Sequence, residues 1–242
     1  MSNSSEIERI RRVYRGYQES GYAARMWSGS NLGNQAISEE RARALQNALS
    51  QTGFLPLTNR TILDIGCGSG AVLQSLNEWG ASTRNLFGVD LLGERLAVAQ
   101  FHHQNLQLQQ GNGAALAWQA SVFDLVFVFT VFSSVLDASM RQRIANEASR
   151  VLKPGGAVVW YDFRVRNPNN PHTRPFSKVD ILALFPGFRA HLWTLTLLPP
   201  LARRLGRLTG SLYPLLSSIS LLHTHHLGIL IKPLESIDVR NS

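Results

Sequence analysis

Cysteine occurs once in the 242 residues, at Cys67, so no disulfide can close within the chain, and a reducing compartment suits it. No Cys/His spacing suited to zinc is present, and no metal site is expected. The opening residues MSNSSEIERIRR hold no apolar core of the kind a cleaved secretory signal needs, which points to the cytoplasm. Long hydrophobic runs are missing as well. The longest uncharged apolar-rich stretch, Leu208 to Leu222, has 15 residues interrupted by Gly210 and Pro214, too short and too broken to cross a bilayer. With no internal repeat and no low-complexity linker, one domain over residues 1–242 is the default expectation.

Acid is scarce relative to base, and unevenly so. The net charge is +8, with a balance of +1 over residues 1–162 and +7 over residues 163–242. A basic C-terminal third suits an acidic partner, whether nucleic acid, an anionic membrane surface or a phosphorylated substrate, and is also what a solvated basic face looks like.

What is present is an alternation of strand and helix patterns. Ile7, Ile10, Val13, Tyr14 and Tyr17 recur at helical spacing, and the polar stretch WSGSNLGNQ that follows reads as a loop. Ser38 is the expected cap of a second helix, with Glu39 and Glu40 in its first turn. Then come a strand at Thr61 to Ile65, a glycine turn, a helix at Val72 to Trp79 and the strand LFGVD ending at Asp90, a βαβ unit. The alternation continues through a helix at Arg95 to Phe101, a strand at Leu106 to Gln110 and the nearly unbroken apolar run FDLVFVFTVF from Phe123. A helix over Ser139 to Val151, the turn Lys153 to Gly156 and the strand AVVWYDF follow. This order predicts an α/β fold with a parallel, doubly wound sheet.

In such a sheet ligands bind beyond the carboxyl ends of the strands, where Gly66, Gly68 and Gly70 lie. Glycine permits a tight turn and close approach of a ligand to backbone, and the following helix offers N–H groups to an anion. Asp64 just before the turn would repel a pyrophosphate and welcome an ammonium, so the expected ligand carries both charges, as an amino acid does. Gly66 to Ala71 also satisfies the dinucleotide pattern G-x-G-x-x-A. With an acid 20 to 25 residues later, those two features alone leave hydride transfer open.

Four pieces in order, Asp64-Ile65-Gly66-Cys67-Gly68-Ser69-Gly70, Asp90, Gly111-Asn112-Gly113-Ala114 and Leu152-Lys153-Pro154-Gly155-Gly156, resemble the class I S-adenosylmethionine-dependent methyltransferases over roughly residues 61–163. More narrowly, the chain is similar to bacterial small-molecule methyltransferases whose fifth strand reads WYDFR. Asp64 and the Leu152 to Gly156 block favour this family over a dinucleotide enzyme. The resemblance implies a Rossmann-like sheet, mostly parallel with an antiparallel last strand. It divides the chain into an N-terminal helical lid (1–50), a cofactor-binding core (51–163) and a C-terminal substrate-side insertion with the last strands (164–242).

It also implies S-adenosylmethionine as cofactor. The glycine turn of Gly66, Cys67, Gly68 and Gly70 would put its N–H groups near the methionine carboxylate, with Asp64 near the ammonium. Asp90 would accept from both ribose hydroxyls and Leu91 would line the adenine, with Asn112, Gly113 and Thr130 completing the site. Asn112 stands where the family often has Asp, which costs a charge but keeps an amide acceptor. Taken by itself, Cys67 reads as a small buried filler and Lys153 as turn punctuation.

Methyl transfer of this kind is an in-line displacement that needs alignment and exclusion of water more than an obligatory base. Candidate proton acceptors are Tyr161 and Asp162 at the end of the fifth strand and His223 and His225 in the tail, where histidine titrates near neutrality. The fourth strand ends Thr130-Val131-Phe132-Ser133, without the Asn/Asp-Pro-Pro-aromatic signature of the adenine methyltransferases, and the tail arginines lie among leucines rather than stacking aromatics. The expectation is therefore a small-molecule or lipid-linked acceptor, with an RNA methyltransferase and a non-catalytic cofactor-binding module as alternatives. Tyr14, Tyr17, Tyr22 and Trp27 are the expected aromatic lining of the lid. Arg203, Arg204 and Arg207 between leucine-rich segments suit peripheral contact with an anionic membrane, or else those leucines pack on the sheet with LGILIKP as its last strand.

Overall fold

The computed structural model describes residues 3–26 and 28–234, so Trp27 of the expected lid lining lies outside the described residues. Helices α1 (Asn3–Glu19), α2 (Tyr22–Met26) and α3 (Leu32–Gln51) lead into β1 (Ile62–Ile65), α4 (Ala71–Glu78), β2 (Leu86–Asp90), α5 (Gly93–His102), β3 (Gln107–Gln110) and β4 (Phe123–Phe129). Then follow α6 (Ala138–Val151), β5 (Leu152–Phe163), α7 (Lys178–Leu184), β6 (Arg189–Leu197), α8 (Pro199–Arg204), α9 (Thr209–Ser217) and β7 (His223–Ile231). Among the described residues these strands form a seven-stranded sheet in the order β3-β2-β1-β4-β5-β7-β6. β1 to β5 pair in parallel, and β7 runs antiparallel between β5 and β6.

Because side chains alternate across a strand, neighbouring residues feed opposite layers. Leu63, Ile65, Val126, Val128, Val158 and Trp160 pack with Ile144 of α6 and Ile181 of α7. Ile62, Leu125, Phe127 and Val159 pack with Leu45 and Leu49 of α3 and Leu73 of α4. A strand that feeds both layers has no polar face, which is why β4 reads as a continuous apolar run.

The start of α3 corrects the sequence reading. Asn31, not Ser38, is the cap, its Oδ1 accepting the N–H groups of Gly33 and Asn34 at 3.0 and 3.2 Å. The stretch looked like a loop because its polar residues serve as internal glue. Asn34 is buried, and its Nδ2 donates to the carbonyls of Met26 and Ser28. Gly33 lets α8 come so close that a Cβ would overlap the Ala202 carbonyl. Lys153 to Gly156 do turn, but inside β5. Phe123 pairs with Leu152 and Leu125 with Ala157, so the turn residues bulge against Asp124, to which Lys153 pairs at 3.0 Å.

Candidate active site

Strand order reverses at β1, which touches both β2 and β4, and a cleft opens beyond the carboxyl ends of these strands. Of the residues expected to hold a cofactor, Gly66, Asp90, Leu91, Asn112, Gly113 and Thr130 line it. Asp64, Cys67, Gly68 and Gly70 stand behind that wall. Ile10 and Tyr14 of α1 close the cleft from the N-terminal side.

Asp90 is 5% exposed and held from two sides: its Oδ2 accepts the Gly68 N–H at 2.8 Å and its Oδ1 accepts the Leu92 N–H at 2.9 Å. The glycine turn therefore spends its N–H groups internally. Gly66 and Cys67 both donate to the Val89 carbonyl, and Gly70 donates to Cys67. This corrects the expectation that those N–H groups face a ligand carboxylate; the tight bend uses them to brace itself against β2. Gly66 (φ +74°) has no room for a side chain, since a Cβ would meet Val131 Cγ2 at 2.7 Å. Burial first, and the charge of Asp90 second, push the Asp64 carboxyl well above its usual range against the pull of Arg95. An ammonium beside it would favour the ionised form. Burial likewise pushes the Cys67 thiol up, so this side chain is an inert filler in the α3 and α4 layer.

Asn112 reaches the cleft, but its Oδ1 already accepts the Ala114 N–H at 2.9 Å and closes its own turn. Thr130 has φ +54°, an uncommon conformation for a β-branched residue, right at the carboxyl end of β4. Sequence reading singled out Thr130 but carried no signal for that strain.

The candidate proton acceptors do not gather at the cleft. Tyr161 is buried in the opposite layer, its hydroxyl 2.7 Å from Thr196 Oγ1 and its ring stacked 4.6 Å from that of His225. Burial raises its pKa. His225 is pushed down to about 3, chiefly by burial and then by Arg41, and so stays neutral at physiological pH. His223 donates from Nε2 to the Ser217 carbonyl at 2.7 Å and accepts from Thr194 at Nδ1. Asp162 is fully buried. It accepts the N–H groups of Ser133 and Phe163 at 2.9 and 2.8 Å, and burial raises it to about 6. Tyr161, His223 and His225 lie on the edge formed by β5, β7 and β6 that α3 and α9 cover, with Glu40 and Tyr213 bonded there, whereas Asp162 is tied to the turn after β4 through the Ser133 N–H. Tyr161→Phe is accordingly expected to leave the pH profile of any turnover unchanged while costing about 1 kcal/mol of stability in a melting experiment.

Residues 63–160 match the family model described as a methyltransferase domain. Over these residues the chain is similar to methyltransferase domains. The chain is 31% identical over 123 residues to a ubiquinone biosynthesis O-methyltransferase of Paracidovorax citrulli, covering 48% of each chain. It is 35% identical over 104 residues to a demethylmenaquinone methyltransferase of Oceanobacillus iheyensis, covering 41% of this chain and 42% of that one. The matches span about half the length of these curated relatives or less. An S-adenosylmethionine-dependent methyltransferase of Mesorhizobium loti shares the fold with a TM-score of 0.56 at 19% identity, over 77% of this chain and 97% of that one. The Mesorhizobium loti protein is by name dependent on S-adenosylmethionine. The site here fits that cofactor: a doubly braced carboxylate at the wall, a glycine cradle that a Cβ would fill, and a buried acid suited to an ammonium.

Proposed function

We propose that the chain transfers a methyl group from S-adenosylmethionine to a small-molecule or lipid-linked acceptor. The observation that carries this reading is the cleft at the strand-order reversal, with Asp90 on its wall and α1 across its mouth. In this reading Asp90 takes the ribose hydroxyls, Asp64 the ammonium, and Leu91, Asn112, Gly113 and Thr130 the adenosine side, with residues 1–50 as lid, 51–163 as core and 164–242 as the acceptor side. Bound there, the cofactor supplies an electrophilic methyl on a sulfonium. The chain supplies alignment and a dry wall, for which Ile10 and Val131 are apolar cover, while the hydroxyls of Tyr14 and Ser134, 3.0 Å apart, are the polar groups at hand to orient an acceptor.

The names of the two relatives, from ubiquinone and menaquinone synthesis, support a quinone-like acceptor with an apolar tail. The segment between β6 and β7 agrees with such a molecule. Leu208, Leu215 and Leu221 are 60%, 64% and 85% exposed, and residues 181–234 contain no Asp or Glu. No helix among the described residues is long and apolar enough to cross a membrane, so contact with lipid would be peripheral. Arg203 donates to the Met26 carbonyl, which leaves Arg204 and Arg207 as the exposed cations of this segment. The protein is expected to sediment with anionic vesicles at low salt and to be released by Arg204→Glu with Arg207→Glu, each arginine contributing about 1 kcal/mol. Equal sedimentation of both forms removes the peripheral reading. The activity itself is tested by feeding methyl-labelled S-adenosylmethionine with membrane and soluble extracts. Label in an extractable lipid quinone supports the proposal, and label only in RNA overturns it.

A further inference from the structure

Arg95 belongs to none of the roles above, yet it lines the cleft. Its guanidinium leans from α5 over the glycine turn, so close to Gly68 that a Cβ there would collide with it. On one side Nη1 stands 3.8 Å from Asp90 Oδ2, and on the other the guanidinium carbon lies 5.3 Å from the centre of the Tyr14 ring in α1. A separation of 3.8 Å is an ion pair without a hydrogen bond. Asp90 accepts one backbone N–H on each oxygen, whereas an ionised carboxylate has room for about four donors. Carboxylate and guanidinium thus face each other with hydrogen-bonding capacity to spare. A hydroxyl matches both, because it donates to the carboxylate and accepts from the guanidinium at once. A vicinal diol does so at two neighbouring atoms.

We propose that Arg95 is a second diol-binding residue, closing with Asp90 on the ribose of the cofactor and, through the face of Tyr14, tying α1 to the loaded cleft. The inference rests on the S-adenosylmethionine reading, since the ribose is the diol in question. Cation and aromatic face attract one another, so fixing the guanidinium on a ligand also fixes the helix that carries Tyr14. By linkage, a docked α1 then raises ligand affinity by the same factor as the ligand favours docking.

S-adenosylhomocysteine is the probe, titrated by calorimetry into the full chain and into Arg95→Met, Arg95→Lys and Tyr14→Leu. Trypsin cleavage of α1 at its exposed Arg11, Arg12 and Arg15 is followed with and without the probe. The Arg95 side chain is 41% exposed, so its replacements should fold, and melting curves check this. Arg95→Met is expected to weaken the probe roughly 10- to 100-fold, the loss of a hydrogen bond to a charged group, with Arg95→Lys between it and the native chain. The 2′-deoxy analogue of the probe should lose less from Arg95→Met than the probe itself, which a merely structural role for Arg95 would not produce. Protection of α1 by the probe should be present in the native chain and absent in both Arg95→Met and Tyr14→Leu. Unchanged affinity in folded Arg95→Met overturns the diol role, and protection that survives in Tyr14→Leu overturns the link to α1. A native chain that binds no S-adenosylhomocysteine overturns the cofactor reading instead, so the two failures are distinguishable.

Discussion

Asp90→Ala is expected to weaken binding of S-adenosylhomocysteine by roughly 2 to 4 kcal/mol, about 30- to 1000-fold, because charge-assisted hydrogen bonds to two ribose hydroxyls disappear together. The same substitution orphans the N–H groups of Gly68 and Leu92, which the carboxylate accepts on separate oxygens. Stability should therefore fall as well, by about 1 to 3 kcal/mol, and the glycine turn should loosen. Asp90→Asn separates the two effects, since an amide oxygen can still brace one of those N–H groups but offers the diol no charge. Calorimetry on both variants below their melting temperatures is the measurement. A folded Asp90→Ala that binds the ligand as tightly as the native chain would remove Asp90 from the site.

The core was legible because each of its parts obeys a local rule. β1, β2 and β4 are buried on both faces and so read as apolar runs, while Gly66 and Gly70 adopt positive φ where the chain must bend sharply. The edge was not. Among the described residues β6 pairs only with β7 and begins half exposed, so Arg189 to Leu197 shows neither a clean alternation nor a continuous apolar run and looked like part of a leucine-rich tail. The same limit explains the misplaced proton acceptors. Tyr161, His223 and His225 are at the correct end of the sheet, but which layer a side chain enters, and that α3 and α9 cover that layer, depends on contacts between residues more than a hundred positions apart, such as Thr196 and Tyr213 with Glu40. Arg95 was missed for a related reason, because an arginine one turn into a helix carries no signal until the fold sets it between Asp90 and Tyr14.

The lid expectation meets a firmer attachment than a flap would have. Glu6 is fully buried, its Oε1 accepts the Leu136 and Asp137 N–H groups at 2.6 and 3.3 Å, and both its oxygens pair with Arg9 at 2.8 Å. Arg9 in turn donates to the Ser134 carbonyl at 2.6 Å, so one ion pair clamps α1 to the turn after β4. Deleting residues 1–30 would also pull Ile10 out of the main core, which makes a single substitution the cleaner probe. Glu6→Ala leaves two N–H groups and a half-buried guanidinium without their acceptor, at a cost of about 2 to 4 kcal/mol. That cost falls on the docking of α1. Trypsin should then cut α1 readily, and turnover should drop far more than affinity for S-adenosylhomocysteine.

The clamp is also expected to be acid-labile. Burial pulls the Glu6 carboxyl upward, but Arg9 and the Leu136 and Asp137 N–H groups together outweigh it and hold the group below its ordinary range. A carboxyl depressed in the folded state contributes its full stabilisation above its unfolded value of about 4.3 and loses it as pH falls through the lower, folded value. Resistance of α1 to an acid-active protease should thus fade as pH drops below that range. Glu6→Gln keeps one acceptor but cannot titrate, so its weaker docking should show no such fade. If the native chain and Glu6→Gln lose protection along the same curve, the clamp owes nothing to the charge on Glu6.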